Sequence, residues 1–416
     1  MSKVYTAAID IGSSKIRVAV AKLNERGEVQ LLGYAEEASN GVINSEALHL
    51  KNVADSVQRA VLRIEERLDG KISKAFVNVG GRKFITKYFK FHKLVGETGV
   101  ISEHDVKHLE NEVRNVNIPS ELMIYDVCAV KYTVDAEKCV KDPVHMAGRK
   151  LEAEYAVIVG PKDYSRYIQK VFDDIQIEIL KLSVDAITTS KLFLTKEEME
   201  EGAILLDMGK GTTKCTVYVD GRIKLMHTVP FGGDTVTKDI KQGLNISYDN
   251  AEKLKVESAN VHSETTEEDK FISVAPGGGW KPREISVKNL SSIVSARLEE
   301  IMEFINDKFM ELNIHENIGA GVVIVGGGAR LHGISELITY CLALSVKYGT
   351  PNFKAEPQTL KIFSHPLCAS LAGLVALKLG LTGNGGNPEI NSDDDIEVKS
   401  NASKGLLMRF VDKFFD

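Results

Sequence analysis

The sequence predicts an α/β fold: two related domains, each a sheet flanked by helices, facing each other across a cleft, with a smaller α+β subdomain inserted in the first. Three observations predict it. An apolar strand, an Asp-x-Gly turn and a second, alternating strand occur twice, as AAIDIGSSKIRVAVA near the start and AILLDMGKGTTKCTVYV from Ala203. A further apolar strand, GVVIVGGG (321–328), ends in glycines and leads into ISELITYCLAL, which has helical spacing. Two long amphipathic helices lie between these strands, so the repeated units read as two α/β domains.

At 416 residues the chain is long enough for two domains. A hydrophobic content of 43% with 26% charged residues suits well-buried cores. The net charge of −6 sets up no global basic field, so nucleic acid is not an expected partner. Cys128, Cys139, Cys215, Cys341 and Cys368 are widely spaced and form no CxxC pair. That pattern suits reduced thiols rather than a zinc site or a disulfide framework. The start, MSKVYTAAIDIGSSKI, reads as a strand and not as a signal peptide. LCASLAGLVALKLGL is interrupted by Lys378 and is short for a bilayer span, so membrane contact is expected only from the end of the chain.

Taken in order, Asp10 and Gly12 of the first unit are equivalent to Asp207 and Gly209 of the second. Ile16, Val18 and Val20 alternate after the first turn, and Cys215, Val217 and Val219 after the second. Residues 48–68 carry Val53, Val57, Ala60, Val61, Ile64 and Leu68 at helical spacing. The texture changes over 83–160, where KFITKYFKF, LMIYDVCAVKYTV and LEAEYAVIVG surround one helix near 102–116. The first core domain is therefore 1–82 with 161–202, and the second is 203–381. Residues 288–312 form the second stripe, through Leu290, Ile293, Val294, Leu298, Ile301, Phe304, Ile305 and Phe309. TGNGGNPEINSDDDIEVKSNA (382–402) has no periodicity and predicts a flexible linker. After it, SKGLLMRFVDKFFD (403–416) places Leu406, Leu407, Phe410, Val411, Phe414 and Phe415 within an arc of about 180° on a helix. That face suits docking on the chain's own domain, on a partner or on a membrane surface, where Lys404, Arg409 and Lys413 would reach anionic lipid headgroups from its flank.

Each Asp-x-Gly turn suits a phosphate, because glycine lets consecutive backbone N–H groups converge on an oxyanion. The first turn offers Gly12, Ser13, Ser14 and Lys15, and the second offers Gly209, Lys210, Gly211, Thr212 and Thr213. Asp10 and Asp207, at the strand ends, are placed to hold water on a Mg²⁺ that neutralises the phosphates. PFGGD (230–234) adds Gly232, Gly233 and Asp234 for close approach to phosphate or ribose. GGGARLHG (326–333), with Gly326, Gly327, Gly328 and Arg330, brings backbone close to a flat group such as a nucleoside. Any one of these alone is an ordinary tight turn. Four of them, two duplicated with matching aspartates, predict a nucleotide between two domains. No Walker motif (GxxxxGKS/T) occurs.

These segments resemble a known superfamily. IDIGSSKI, LLDMGKGTTKCTVY, VIVGGGARLHG and HPLCASLAGLVAL are similar to the two phosphate motifs, the adenosine motif and the second connecting motif of the actin-like ATPases. The resemblance implies the actin-like two-domain fold around a nucleotide cleft, with ATP and Mg as cofactors. The insertion, the motif GGGWKPREISVKNLSSIV and the amphipathic end resemble the FtsA division proteins more closely, over essentially residues 4–416. By that likeness Glu252 and Lys255 of NAEKLKV (250–256) meet ribose and adenine, and LSVDAITTS (182–190) is the first connecting helix. The likeness also implies a small subdomain at about 240–305 within the second domain. The likeness implies a protein that polymerises with itself on the cytoplasmic face of the bacterial inner membrane. There it would tether FtsZ filaments through their acidic, apolar C-terminal tails and recruit later division proteins. Trp280, Lys281 and Arg283 of GGGWKPREI (277–285) are the implied FtsZ contacts. A weak anchor would gain avidity from polymerisation. A pilus-assembly scaffold of the PilM kind and a small-metabolite kinase of the same superfamily stay open as other readings, and neither needs the terminal anchor.

One departure from the superfamily stands in the second turn. The usual pattern is Asp-x-Gly-Gly-Gly-Thr, often with an acidic residue two positions on, whereas this chain has DMGKGTTK. Lys210 constrains the backbone where glycine is freest, yet brings an ammonium toward the β- or γ-phosphate. Lys214 stands at the acidic position, where it either removes a useful carboxylate or points into solvent beside the loop. Tighter ground-state ATP does not by itself speed chemistry. ATP is therefore expected to act as a structural brace, with turnover far below the roughly 1–10³ s⁻¹ of ordinary enzymes.

Overall fold

The computed structural model describes residues 3–136, 138–140, 142–261, 270–274 and 282–381. Two five-stranded sheets of one topology form its centre. The first runs in the order Glu178–Val184, Gly70–Val79, Lys3–Ile11, Lys15–Leu23, Val29–Ala38. The second runs Val346–Tyr348, Gly321–Val325, Ala203–Met208, Thr213–Val219, Arg222–Val229. In each, an antiparallel three-stranded meander carries two parallel strands on the side of its first strand. The internal echo is thus the duplication of a whole sheet, with the Asp-x-Gly hairpin at its middle.

The continuous apolar runs have a physical cause. Ala203–Met208 and Gly321–Val325 are buried along their whole length. Successive side chains point to opposite faces. Leu205, Val323 and Val325 enter a core shared with the first domain, while Ile204, Leu206, Val322 and Ile324 pack in the core of helix Val287–Glu311. A strand covered on both faces needs no polar alternation.

Helix Leu50–Leu68 leads from the third strand of the first sheet to the fourth, and it buries Val53, Val57, Ala60, Val61 and Ile64 as their spacing predicts. Helix Val287–Glu311 precedes the corresponding strand of the second sheet. Of its stripe, Leu290, Val294, Leu298, Ile301, Ile305 and Phe309 are buried. Phe304 lies at the stripe's edge, 43% exposed, with its ring 5.7 Å from that of Phe231. Helices Asp185–Phe193 and Ala369–Lys378 pack on each other at the junction of the two halves. LCASLAGLVALKLGL is apolar because most of the second of these helices is buried. Among the described residues no single helix is long and apolar enough to cross a membrane.

Between the fourth and fifth strands of the first sheet lies a four-stranded antiparallel sheet, ordered Ile85–Leu94, Lys150–Pro161, Leu122–Val134, Lys138–Val140. Helix Glu103–Arg114 covers it over a core of its own that includes Ile101, Leu109, Val113, Leu151 and Tyr155. Strand Lys150–Pro161 continues into the first domain, where Ile158 joins the main core. The Tyr88 hydroxyl donates to the Ile223 carbonyl of the second sheet, so the insertion touches both halves. The expected linker 382–402 and terminal helix 403–416, with Lys404, Leu406, Leu407, Arg409, Phe410, Val411, Lys413, Phe414 and Phe415, lie outside the described residues, as do Trp280 and Lys281.

The insertion's helix starts on a reciprocal cap. Ser102 Oγ accepts the Asp105 N–H at 3.3 Å, and Asp105 accepts the Ser102 N–H at 2.9 Å while pairing with Lys93 Nζ at 2.8 Å. Asp105→Ala should remove the return bond and the ion pair together, at about 0.5–2 kcal/mol, the range measured for lost caps. Hydrogen exchange read by mass spectrometry should show faster exchange in helix Glu103–Arg114, with the two central sheets unchanged.

Candidate functional site

The two repeated hairpins fold alike. The Gly12 N–H donates to the Lys15 carbonyl at 3.2 Å, and the Gly209 N–H to the Thr212 carbonyl at 2.9 Å. In each hairpin the aspartate of the first strand lies directly opposite a cation on the second: Asp10 opposite Arg17, and Asp207 opposite Lys214. Residues directly opposite in an antiparallel pair share a face. All four side chains are buried.

Around the second pair the halves of the molecule meet. Lys214 Nζ bonds Asp185 Oδ2 and lies 3.8 Å from Asp207 Oδ2. Asp185 is the first residue of the connecting helix, and its Oδ1 accepts the Ala186 N–H at 2.7 Å. Asn78 Nδ2 reaches Asp10 Oδ1 at 3.5 Å and the Ser370 carbonyl at 3.0 Å. The expectation that Lys214 could point into solvent is corrected. Thr213–Tyr218 is buried residue after residue, so neither face of that strand offers a solvent side.

Burial pushes Asp10 up to about 6, opposed by Arg17 and Lys214 and reinforced by Asp185. Burial also raises Asp207, with Lys214 opposing. For Lys214 burial pulls downward, but Asp185, Asp207 and Asp10 together outweigh it and hold the ammonium above the ordinary lysine value.

The glycine loops close around this cluster. The Gly233 N–H donates to the Gly209 carbonyl at 3.0 Å, and the Asp234 N–H to the Lys210 carbonyl at 2.8 Å. A Cβ at Gly232 would stand 2.5 Å from the Gly209 oxygen, so only glycine allows this approach. The start of helix Gly233–Leu244 is thereby seated beside the second turn. Gly326, at φ 84°, packs on Asp207 and Met208 and opens the short helix Gly327–Arg330 that carries Gly328. Arg330 is exposed.

Other expected residues take different places. Lys210 is exposed and its φ is not positive, so the anticipated backbone constraint is not found there. Lys15 pairs with Glu36 at 3.3 Å, within its own sheet, and Arg17 shares that carboxylate at 3.4 Å. Ser14 is exposed at the tip of its turn, and the Thr213 hydroxyl donates to the Phe231 carbonyl at 3.0 Å. Glu252 and Lys255 pair with each other at 2.7 Å, and Lys255 Nζ also donates to the Gly233 carbonyl at 2.9 Å and the Thr237 hydroxyl at 2.7 Å. The pair braces the PFGGD loop. Asp234 accepts from the Tyr248 hydroxyl and from Lys238, each at 2.6 Å. Arg283, on strand Arg283–Ser286, is exposed and donates to the Asn245 carbonyl at 3.3 Å.

Two site residues escape sequence reasoning. Ser45 spans both turns: its N–H donates to Ser13 Oγ at 2.8 Å, and its hydroxyl bonds that of Thr212 at 2.9 Å. The Asn-Ser pair marks a turn, and both residues have positive φ, but no local signal carries Ser45 to a loop 167 residues away. Asp185 reads in sequence only as an acidic start to a helix. The echo did contain one unread signal, a basic residue seven positions after each aspartate.

Direct coordination of a Mg²⁺ by Asp207 does not suit this donor set. A divalent ion on Asp207 would share low-dielectric space with the ammonium already beside that carboxylate. Among the described residues no group of three or more His, Cys, Asp or Glu is arranged to hold a metal ion.

Two copies of one sheet, set with their Asp-x-Gly hairpins toward a shared cleft and joined by paired helices, define an actin-like protein. Solved structures share the fold. The PilM-PilN type IV pilus biogenesis complex matches with a TM-score of 0.65 and 15% identity, over 91% of this chain and 99% of that one. MreB 5 of Spiroplasma citri bound to AMPPNP matches with a TM-score of 0.51 and 13% identity, over 91% of this chain and 97% of that one. The sequence profile described as cell division protein FtsA matches residues 204–373, and that of the SHS2 domain inserted in FtsA matches 90–159, together more than half of the chain. The cell division protein FtsA of Borreliella burgdorferi is 28% identical over 353 residues, 84% of this chain and 86% of its own. The chain belongs to the FtsA family of cell division proteins.

At the rim of the cleft, His365 Nδ1 accepts the Leu367 N–H at 3.3 Å. Burial, then Arg330 and Arg17, hold its pKa down to about 4 from 6.5. The folded chain therefore favours neutral imidazole, and that stability is complete above the unfolded value and lost as pH falls through the window from 6.5 to 4. Urea midpoints across that window should fall less steeply in His365→Gln than in the parent chain.

Proposed function

We propose that this chain binds ATP in the cleft between its two domains and works as a polymer on the cytoplasmic face of the bacterial inner membrane at the division site. There it holds FtsZ filaments and recruits later division proteins. The observation that carries the reading is the meeting of two copies of one Asp-x-Gly hairpin at a cleft, in a chain of the FtsA family. The Ser13 hydroxyl, which accepts the Ser45 N–H, and the Thr212 hydroxyl, which shares a bond with that of Ser45, lie at the two turns as groups that a triphosphate would engage. Lys210 and the start of helix Gly233–Leu244 add positive potential beside them. A ligand held by both halves favours the closed form, which suits nucleotide as a brace for assembly. Asp185 is bonded to an ammonium and Asp207 lies beside it, and carboxylates so placed make poor bases for activating water, which favours slow turnover.

The family profiles favour a division role over a pilus scaffold or a kinase. At the proposed FtsZ surface, Arg283 lies on a strand paired with Phe271–Val274, opposite Val274 and at the other end of the pair from the exposed Phe271. An exposed arginine suits an acidic peptide. The double variant Lys281→Glu/Arg283→Glu should lose binding of an FtsZ C-terminal peptide, measured by fluorescence anisotropy, and keep its ATP affinity. Loss of both would indicate a fold defect, and loss of neither would reject the surface.

The anchor is tested by sedimentation with anionic lipid vesicles in the presence of ATP. The full chain should pellet with the vesicles and a variant ending at residue 400 should stay in solution. Equal pelleting would exclude residues 403–416 as the membrane contact.

A further inference from the structure

We infer that Lys214 is a built-in counter-ion that takes the place of a divalent metal in this cleft, so that a nucleoside triphosphate binds without depending on a metal ion. The inference rests on the nucleotide reading above and concerns what neutralises the phosphates.

A metal in such a cleft sets positive charge between strand-end carboxylates and phosphate oxygens. Lys214 sets a positive charge beside the strand-end carboxylate Asp207. Its side chain is 10% exposed and its Nζ lies among carboxylates from two elements, bonded to Asp185 of the connecting helix and 3.8 Å from Asp207 on the neighbouring strand. An ammonium carries three N–H donors. Asp185 takes one and Asp207 lies beyond hydrogen-bonding distance, so donors remain for a phosphate oxygen. The neighbouring carboxylates keep the group charged at any pH near neutral.

The two hairpins also differ in a way that singles out this lysine. Arg17 occupies the equivalent position in the first hairpin, but it is drawn toward Glu36 of its own sheet. Lys15, the other cation of that turn, is drawn to the same carboxylate. Lys214 is therefore the buried cation of the second hairpin that faces the carboxylates of the junction. Asp185, bonded to it from another element, gives a fixed charge the compensation it needs. A mobile metal would not require that partner.

The test measures ATP affinity of the full-length protein by equilibrium dialysis, in excess Mg²⁺ and in excess EDTA. The parent chain should change less than about threefold between the two buffers, and Lys214→Arg should behave likewise because it keeps the charge. Lys214→Gln should bind about tenfold more weakly in EDTA, the loss of one charge-assisted contact, and recover with Mg²⁺. A parent chain that binds only with Mg²⁺ overturns the inference and leaves the nucleotide reading intact. A Lys214→Gln variant as indifferent to Mg²⁺ as the parent, at equal affinity, also overturns it. Binding in neither buffer would reject the nucleotide reading itself, and the inference with it. If Lys214→Gln does not fold, the parent chain's two affinities still decide.

Discussion

A single buried ammonium holds the junction of this molecule in register. Lys214 comes from a hairpin of the second sheet, Asp185 opens the connecting helix, and Asp207 ends the strand beside Lys214. Helix Asp185–Phe193 packs on helix Ala369–Lys378, which in turn lies against the first sheet. The ion pair thus fixes one half of the molecule to the helix that leads to the other. Such pairs add little net stability over a well-packed apolar substitute, but breaking one leaves an uncompensated buried charge at about 3–5 kcal/mol. The contribution is therefore mainly to geometry. It ties the second hairpin to the start of the connecting helix.

The duplication gives two turns of one shape with different electrostatics. In the first, Lys15 and Arg17 converge on Glu36, to which the Tyr34 hydroxyl also donates at 3.0 Å. Its cations are held by its own sheet. In the second, the cation is held at the junction, and Lys210 adds a mobile charge outside it. One backbone plan thereby holds its cations within the sheet on one side and at the junction on the other. A charge fixed before a ligand arrives favours ground state and transition state alike.

The inserted subdomain follows a different logic. Its helix and sheet have a core of their own, yet strand Lys150–Pro161 feeds Ile158 into the first domain and Tyr88 reaches the second sheet. The insertion is thereby attached to both halves.

Much of this was legible in the sequence, for stated physical reasons. The Asp-x-Gly echo, the stripes at Val53–Ile64 and Leu290–Phe309 and the glycine pairs at 232 and 326 are local patterns, and local sterics and burial enforce them. They determined the duplicated α/β fold, the insertion and the place of the cleft. Periodicity also showed which strands are covered on both faces, but it carries no information about what covers them. Where Lys214 points was therefore decided by Asp185, 29 residues away, and the closing of the turns by Ser45, 167 residues from its partner Thr212. Lys15 went to Glu36, a carboxylate on the third strand of its own sheet. Sequence alone determined the frame and the kinds of groups at the site. Tertiary structure decided their pairing, because a charge entering a low-dielectric interior takes whichever opposite charge the packing of distant elements brings within reach.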